Sequence, residues 1–471
     1  MSKIHPGRSH QLGTLLDELP FNRRHWLVAL MCGGGLLFDA LNFQVMALVA
    51  PSLIQEWQLS PTVLGSVLSA TVVGMLIGTY VFAAIADRIG RRVGFQVTVA
   101  LFAVFGGLCG LAQNLNQLML LRFFAGLGIG GFLPIDTAVI AEFTPSKSRG
   151  RVMAFAALCF PLGGLLAAWV ASAFIPSLGW RALFFVGVFP AIIIFLVRLY
   201  VPETPRFLLQ KGRFAEAEKS IAWIAMGKLP ALANAIVNSS SPVADQRDRP
   251  RIVRELFSKA YRKRTMLVWA IWFTTSFSYY GMIMWLPALL TGYKGISGAQ
   301  VYPFIVGYMG SGIAGRIVVS LLIDRIGRKP LIAIYAICAA CGLLIFGQQN
   351  TLHMLMLYGY ITAFFHDGCF SAIIPYTPEL YPTRMRATGV GWASGAGRIA
   401  AIIAPIAIGF MVTANVYSVF ILLAVNSFAA GIVVLAMGIE TKGMVLEDAS
   451  LEMDGNVANG SGIVGVLREK C

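Results

Sequence analysis

The chain has 471 residues, of which 57% are hydrophobic and only 13% charged, with a mean hydropathy of +0.73. Soluble domains hold roughly 45–50% apolar and 25% charged residues, so the composition excludes a soluble enzyme or binding module and calls for an integral membrane protein. The net charge of +15 raises nucleic acid as a partner, but 32 of the 37 Lys and Arg fall on one side of the topology below, with Arg181 and Lys294 on the other and Arg122, Arg316 and Arg398 inside spans. That is the positive-inside distribution, and basic loops beside anionic lipid account for it without nucleic acid.

Residues 1–25 are polar and basic and read as a cytoplasmic segment; no cleavable leader is expected, because the apolar run that follows is long enough to cross the bilayer and stay. Runs of about 20 apolar residues predict twelve spans, near 26–50, 62–86, 93–113, 117–141, 152–175, 181–200, 266–290, 301–323, 330–348, 353–377, 387–411 and 416–438. The fold class is therefore an all-α membrane protein of two six-helix bundles, residues 26–201 and 265–440, with both termini cytoplasmic. Between the bundles, residues 202–264 form the one long loop, helical over Gly212–Met226 and linker-like over Asn238–Pro250. The tail, 441–471, has little to pack and is expected to be disordered at its end. Six of the seven cysteines (32, 109, 159, 338, 341 and 369) lie in apolar runs and are expected to be core thiols, with neither disulfide nor zinc.

An internal repeat supports the division. Asp87-Arg-Ile-Gly-Arg-Arg returns as Asp324-Arg-Ile-Gly-Arg-Lys, Glu142-Phe-Thr-Pro with Arg149 as Glu379-Leu-Tyr-Pro with Arg386, and Glu203-Thr as Glu440-Thr, all offset by 237 residues. Three motifs at one spacing imply duplication of a six-span unit, and a pathway between two similar halves is the natural expectation. Gly90 and Gly327 permit tight turns. Asp87, Arg91, Glu142 and Arg149, with Asp324, Arg328, Glu379 and Arg386, are expected to form cytoplasmic charge clusters that act as gates; the alternative is a plain topology anchor. Arg316, eight residues before Asp324, is expected to brace the same gate.

These turns, with RFFAGLGIGG at 122–131, PETPR at 202–206 and IETKG at 439–443, together resemble the major facilitator superfamily in its branch of sugar porters and organic ion transporters. The resemblance covers nearly the whole chain. Departures are Ala83 and Ser320 for the opening glycine of the loop motif and Ile439 for a proline. Residues 38–57 and the eleventh span look most like bacterial metabolite:proton symporters such as the niacin permeases. The long glycosylated external loop of related animal transporters is absent at Pro51–Pro61, and the sequons at Asn238 and Asn459 fall on the cytoplasmic side, which favours a bacterial inner membrane.

Intramembrane charge is rare and commonly functional. Arg398 stands in a run of small residues, Gly389 to Gly397, that lets helices approach closely; it is the candidate clamp for an anionic ligand, or else half of a structural ion pair. Asp39 and Arg122 resemble the aspartate–arginine pair of proton-coupled sugar porters, with a permanent salt bridge or direct substrate contact by Asp39 as alternatives. Asp136 and His366 are further proton candidates, each also readable as a helix–helix hydrogen bond. Tyr279, Tyr280 and Trp392 offer ring faces, and Asn42 and Gln44 polar contacts, for a flat ligand.

The expectation is a proton-coupled secondary transporter that imports a small organic anion, an aromatic monocarboxylate such as nicotinate, by alternating access as a monomer. No cofactor, metal or nucleic acid is implied. A sugar, polyol or organic cation symporter, the last using Asp136 or Asp367, is the rival within the fold, and a non-transporting nutrient sensor the rival outside it. No nucleophile–base constellation, phosphate loop or metal-ligand spacing points to an enzyme.

Overall fold

The computed structural model describes residues 16, 19–226, 249–259, 261–382 and 385–442. The N-terminal segment before these, the linker-like stretch 238–248, the tail beyond 442 and both sequons lie outside them. Sixteen helices, and no strand, are present among the described residues. In chain order they are α1 (Arg23–Trp57), α2 (Pro61–Ile89), α3 (Arg91–Leu108, continued by a short 3-10 turn), α4 (Leu115–Phe143), α5 (Ser146–Leu178), α6 (Trp180–Val186), α7 (Pro190–Tyr200), α8 (Pro205–Gln210) and α9 (Phe214–Ile224). There follow α10 (Arg249–Leu256), α11 (Arg262–Gly292), α12 (Gly298–Ile326), α13 (Arg328–Gln348), α14 (Leu352–Glu379), α15 (Arg386–Val412) and α16 (Val416–Met437).

Each expected span is a helix, the sixth being broken into α6 and α7. Three helices start on an asparagine cap: Asn22 Oδ1 accepts from the amides of Arg24 and His25, Asn114 caps α4 and Asn415 caps α16. Ten of the twelve spans are long and apolar enough to cross a membrane by length and composition. The two that are not, α11 and α14, are diluted by Thr274, Thr275, Ser276, Ser278, Tyr279 and Tyr280 on one and by Tyr358, Tyr360, His366 and Asp367 on the other. Polar residues on a span must face protein or a cavity, so these two helices are where a site is to be sought.

The chain divides into two compact units, one from 1–59, 66–244 and 298–303, the other from 60–65, 245–297 and 304–471. In the first, α1 packs on α5 and α3 on α4, around Phe95, Phe102, Phe132 and Phe143; in the second, α11 packs on α15 and α13 on α14, around Ile271, Tyr335, Tyr376 and Tyr381. Large apolar side chains such as Trp169, Phe195, Leu321 and Phe410 stand outward, 60–67% exposed, as suits a lipid-facing surface. The cysteine expectation needs one correction. Cys32, Cys109, Cys159 and Cys369 are buried, whereas Cys341 lies on the outer face of α13 and is exposed.

The repeat is visible atom by atom. In the first unit Arg91 pairs with Asp87 and with Glu142 (3.1 Å), Thr204 Oγ1 donates to Glu142, and the Glu203 carboxylate accepts from the amides of Arg91 and Arg92 at the start of α3. In the second, Arg328 pairs with Asp324 (2.9 Å) and Glu379 (3.2 Å), Thr441 Oγ1 donates to Glu379, and Glu440 accepts from the amides of Arg328 and Lys329. A carboxylate at a helix N-terminus is favoured by the exposed amides and the helix dipole. Gly90 and Gly327, at φ +113° and +107°, make the turn beneath it, and a methyl group on either would strike that carboxylate. Arg149 and Arg386 donate to the carbonyls of Thr144 and Pro378. The two basic residues assigned to the external side are also tied down: Arg181 pairs with Glu56 at 2.7 Å, and Lys294 donates to Gly347 O at 2.7 Å, where burial pulls its pKa below the ordinary lysine value.

Candidate functional site

Within the second unit, α12 and α14 run in the same direction at close quarters. Ser311 Oγ donates to Tyr360 O at 2.7 Å, and Gly315 lies so near the Phe364 carbonyl that a methyl group would collide with it. This contact sets Arg316 against Asp367: Nε to Oδ1 is 2.8 Å and Nη2 to Oδ1 is 2.6 Å, with the two side chains only 14% and 7% exposed. Gly312, one turn before Arg316, leaves room for the carboxylate. Arg316, expected to brace the cytoplasmic gate, pairs with Asp367, whereas the gate carboxylates Asp324 and Glu379 pair with Arg328.

Aromatic rings gather at this pair. The Arg316 guanidinium stands 5.9 Å from the Phe370 ring, and Tyr279 of α11 lies within its hydrogen-bonding reach. Tyr279 meets Phe370 at 5.0 Å, Tyr280 edge-on at 5.2 Å and His366 at 5.7 Å. His366 is 2% exposed, and neither ring nitrogen has a hydrogen-bond partner among the described residues. One buried cation, one buried carboxylate, an imidazole and three tilted or edge-on rings have the chemistry to hold a flat, charged molecule.

Other expected site residues are placed elsewhere. Trp392 is 42% exposed and stacks on Trp269 (5.8 Å, 14°) with Phe257 beside it, so it joins a different aromatic group from Tyr279. Arg398, half-buried on α15, follows Gly397, which is seated on Ser276 and Trp272 of α11. In the first unit Asp39, Asn42 and Gln44 are all buried on α1. Asn42 was expected to meet ligand, but its Nδ2 donates to Phe38 O (3.3 Å) and Gly187 O (3.4 Å), bracing α1 against the break between α6 and α7. Gln44 Nε2 has no hydrogen-bond partner among the described residues. Arg122, fully buried, donates from Nη1 to Asn42 O (3.0 Å), one turn beyond Asp39, and from Nε to Cys109, with its guanidinium 5.1 Å from the Phe184 ring. Asp136 is fully buried beside the thiols of Cys32 and Cys159.

Sequence reasoning missed the Arg316–Asp367 pair and Phe370. The signal was available: Arg91–Glu142 and Arg328–Glu379, both matched by motif, are 51 residues apart, and so are Arg316 and Asp367.

Residues 39–452 match the family of sugar (and other) transporters. The chain belongs to that family. It is 33% identical to the niacin transporter of Acinetobacter baylyi over 93% of this chain and 99% of that protein, and 32% identical to a gallate transporter of Pseudomonas putida over 90% and 94%. The fold is similar to that of the xylose transporter of E. coli, a structure described as inward open, with a TM-score of 0.71 at 19% identity over 91% of this chain and 99% of that one. The protein is thus a major facilitator transporter of the membrane with a small-molecule substrate. Its relatives and fold are those of transporters, not of enzymes.

Proposed function

We propose that this transporter carries a small aromatic monocarboxylate, such as nicotinate or a benzoate, together with a proton, by alternating access. It works as a monomer in a bacterial inner membrane, with both termini cytoplasmic and the two carboxylate–arginine latches serving as gates. The observation that carries the reading is the cluster of Tyr279, Tyr280, Phe370 and His366 around a buried guanidinium. Rings with their edges and faces available hold a flat ring, and a cation among them selects the anion. The relatives named for niacin and gallate transport support the same class of cargo. Arg398, on the helix that packs against α11, provides a second cation that draws the carboxylate in. Asp39 with Arg122, Asp136 and His366 are the proton-coupling candidates that the sequence offers, and Gln44 a polar contact.

An organic cation has less support, because the relatives above are named for niacin and gallate. Competition decides between cargoes. In cells expressing the protein, unlabelled benzoate and nicotinate should suppress uptake of labelled nicotinate while xylose and tetraethylammonium do not, and a protonophore should abolish accumulation. Uptake indifferent to the acids and suppressed by sugar or amine contradicts the proposal.

A further inference from the structure

Residues 237 positions before Arg316 and Asp367 are Thr79 and Gly130. The local geometry around them matches: a methyl group on Gly78 would strike the Leu127 carbonyl, as one on Gly315 would strike that of Phe364, again 237 residues on. The two halves therefore make the same helix crossing. In the first half it is closed by Thr79 Oγ1 donating to Gly130 O at 2.9 Å. A hydroxyl and a carbonyl suffice for the packing, and desolvating two opposite charges is an expensive way to do the same. The ion pair is found at this crossing in the second half alone, and it stands where Tyr279, His366 and Phe370 converge.

We infer that Arg316 is the carboxylate-binding group and Asp367 the proton acceptor that releases it. A proton from solution binds a carboxylate oxygen of Asp367, the ion pair parts, and the freed guanidinium takes the carboxylate of an aromatic acid whose ring lies against Tyr279 and Phe370. This assignment rests on the proposed function and gives that function its stoichiometry. Before the step the site holds one cation and one anion; after it, one cation, one bound anion and a neutral acid. Charge is conserved within the site only if one proton enters with each carboxylate. The planar fork of arginine meets either carboxylate in the same geometry. The titratable or charged groups around Asp367 are Arg316 and Tyr308 of α12, Tyr279 of α11, Tyr335 of α13 against the neighbouring Gly368, and His366 on its own helix. Tyrosines ordinarily titrate near pH 10, which leaves His366 as the competing acceptor.

The test uses the purified full-length protein in lipid nanodiscs, with labelled nicotinate and benzoate as probes, binding measured between about pH 5.5 and 8 and proton uptake followed by a dye in weak buffer. Wild type should take up one proton per acid bound, with affinity rising about tenfold per pH unit lowered. Asp367→Asn should bind with pH-independent affinity and take up no proton, and Arg316→Gln should lose about 30-fold or more in affinity. His366→Gln should shift affinity and keep the one-proton stoichiometry. The uncharged double variant Arg316→Gln/Asp367→Asn, monodisperse and as heat-stable as wild type, shows that the losses are not misfolding. Proton uptake persisting in Asp367→Asn, or Arg316→Gln binding within about threefold of wild type, overturns the assignment. If uptake of the proton is lost in Asp39→Asn or His366→Gln and kept in Asp367→Asn, the assignment falls and the proposed function stands; if wild type binds neither acid, both fall.

Discussion

A guanidinium at membrane depth costs between about 2.5 and more than 10 kcal/mol when nothing answers it, and three arginines meet that demand differently. Arg122 is surrounded by Asn42 O, Cys109 and the Phe184 ring; Arg122→Ala should cost about 1–3 kcal/mol, read as a lower midpoint of thermal unfolding, and an unchanged midpoint would show that it braces nothing. Arg316 is answered by a carboxylate, and a buried pair deprived of one partner loses about 3–5 kcal/mol. Arg398 stands beside the α11 packing surface at Ser276 and Trp272. Arg398→Ala is expected to abolish uptake of labelled nicotinate while membrane abundance measured by immunoblot is kept; normal uptake rejects its role in drawing in the anion. At this scale the sequence was informative about which residues are unusual and less so about their company. Arg316, Asp367, His366 and Tyr279 all stand out as polar groups in apolar runs, but a helical run does not say which face meets which neighbour. Trp392 and Asn42 show it: one stacks on Trp269 and the other donates to backbone carbonyls.

Helices carry the parts that were legible. Apolar length predicts each span, and the glycine in each Asp-Arg-x-Gly-Arg turn predicts a backbone that only glycine adopts easily. Helix direction and register were legible in principle too, since two parallel spans keep a nearly constant sequence separation: 49 residues for Ser311–Tyr360 and 51 for Arg316–Asp367. The motifs Glu203-Thr and Glu440-Thr gain a physical role from the structure, as caps on α3 and α13 that also hold the ends of α4 and α14. Gly90→Ala and Gly327→Ala should each cost at least about 1–2 kcal/mol from the left-handed backbone alone, and more from collision with the capping carboxylate. Thermal-unfolding midpoints several degrees below wild type in both variants are the expected result. A wild-type midpoint in either would show that the turn relaxes without harm.

Across the whole molecule the duplication explains the architecture and its exceptions point to function. Latches, caps and close glycine contacts recur at one offset because both halves need them to fold. Asp39, Arg122, Arg316, Asp367 and Arg398 have no such counterpart: their equivalents are Ser276, Gly359, Thr79, Gly130 and Pro161. The charges that one half alone carries within the membrane are the ones we propose to act in transport. The central claim, that an aromatic carboxylate and a proton cross together, is tested most directly in proteoliposomes. With the outside acidified, labelled nicotinate should accumulate above the level in protein-free vesicles, collapse on addition of a protonophore, and fail to accumulate with Asp367→Asn although exchange against internal nicotinate continues. Nicotinate entry equal to that of protein-free vesicles, or accumulation by wild type that ignores the pH gradient, would contradict it.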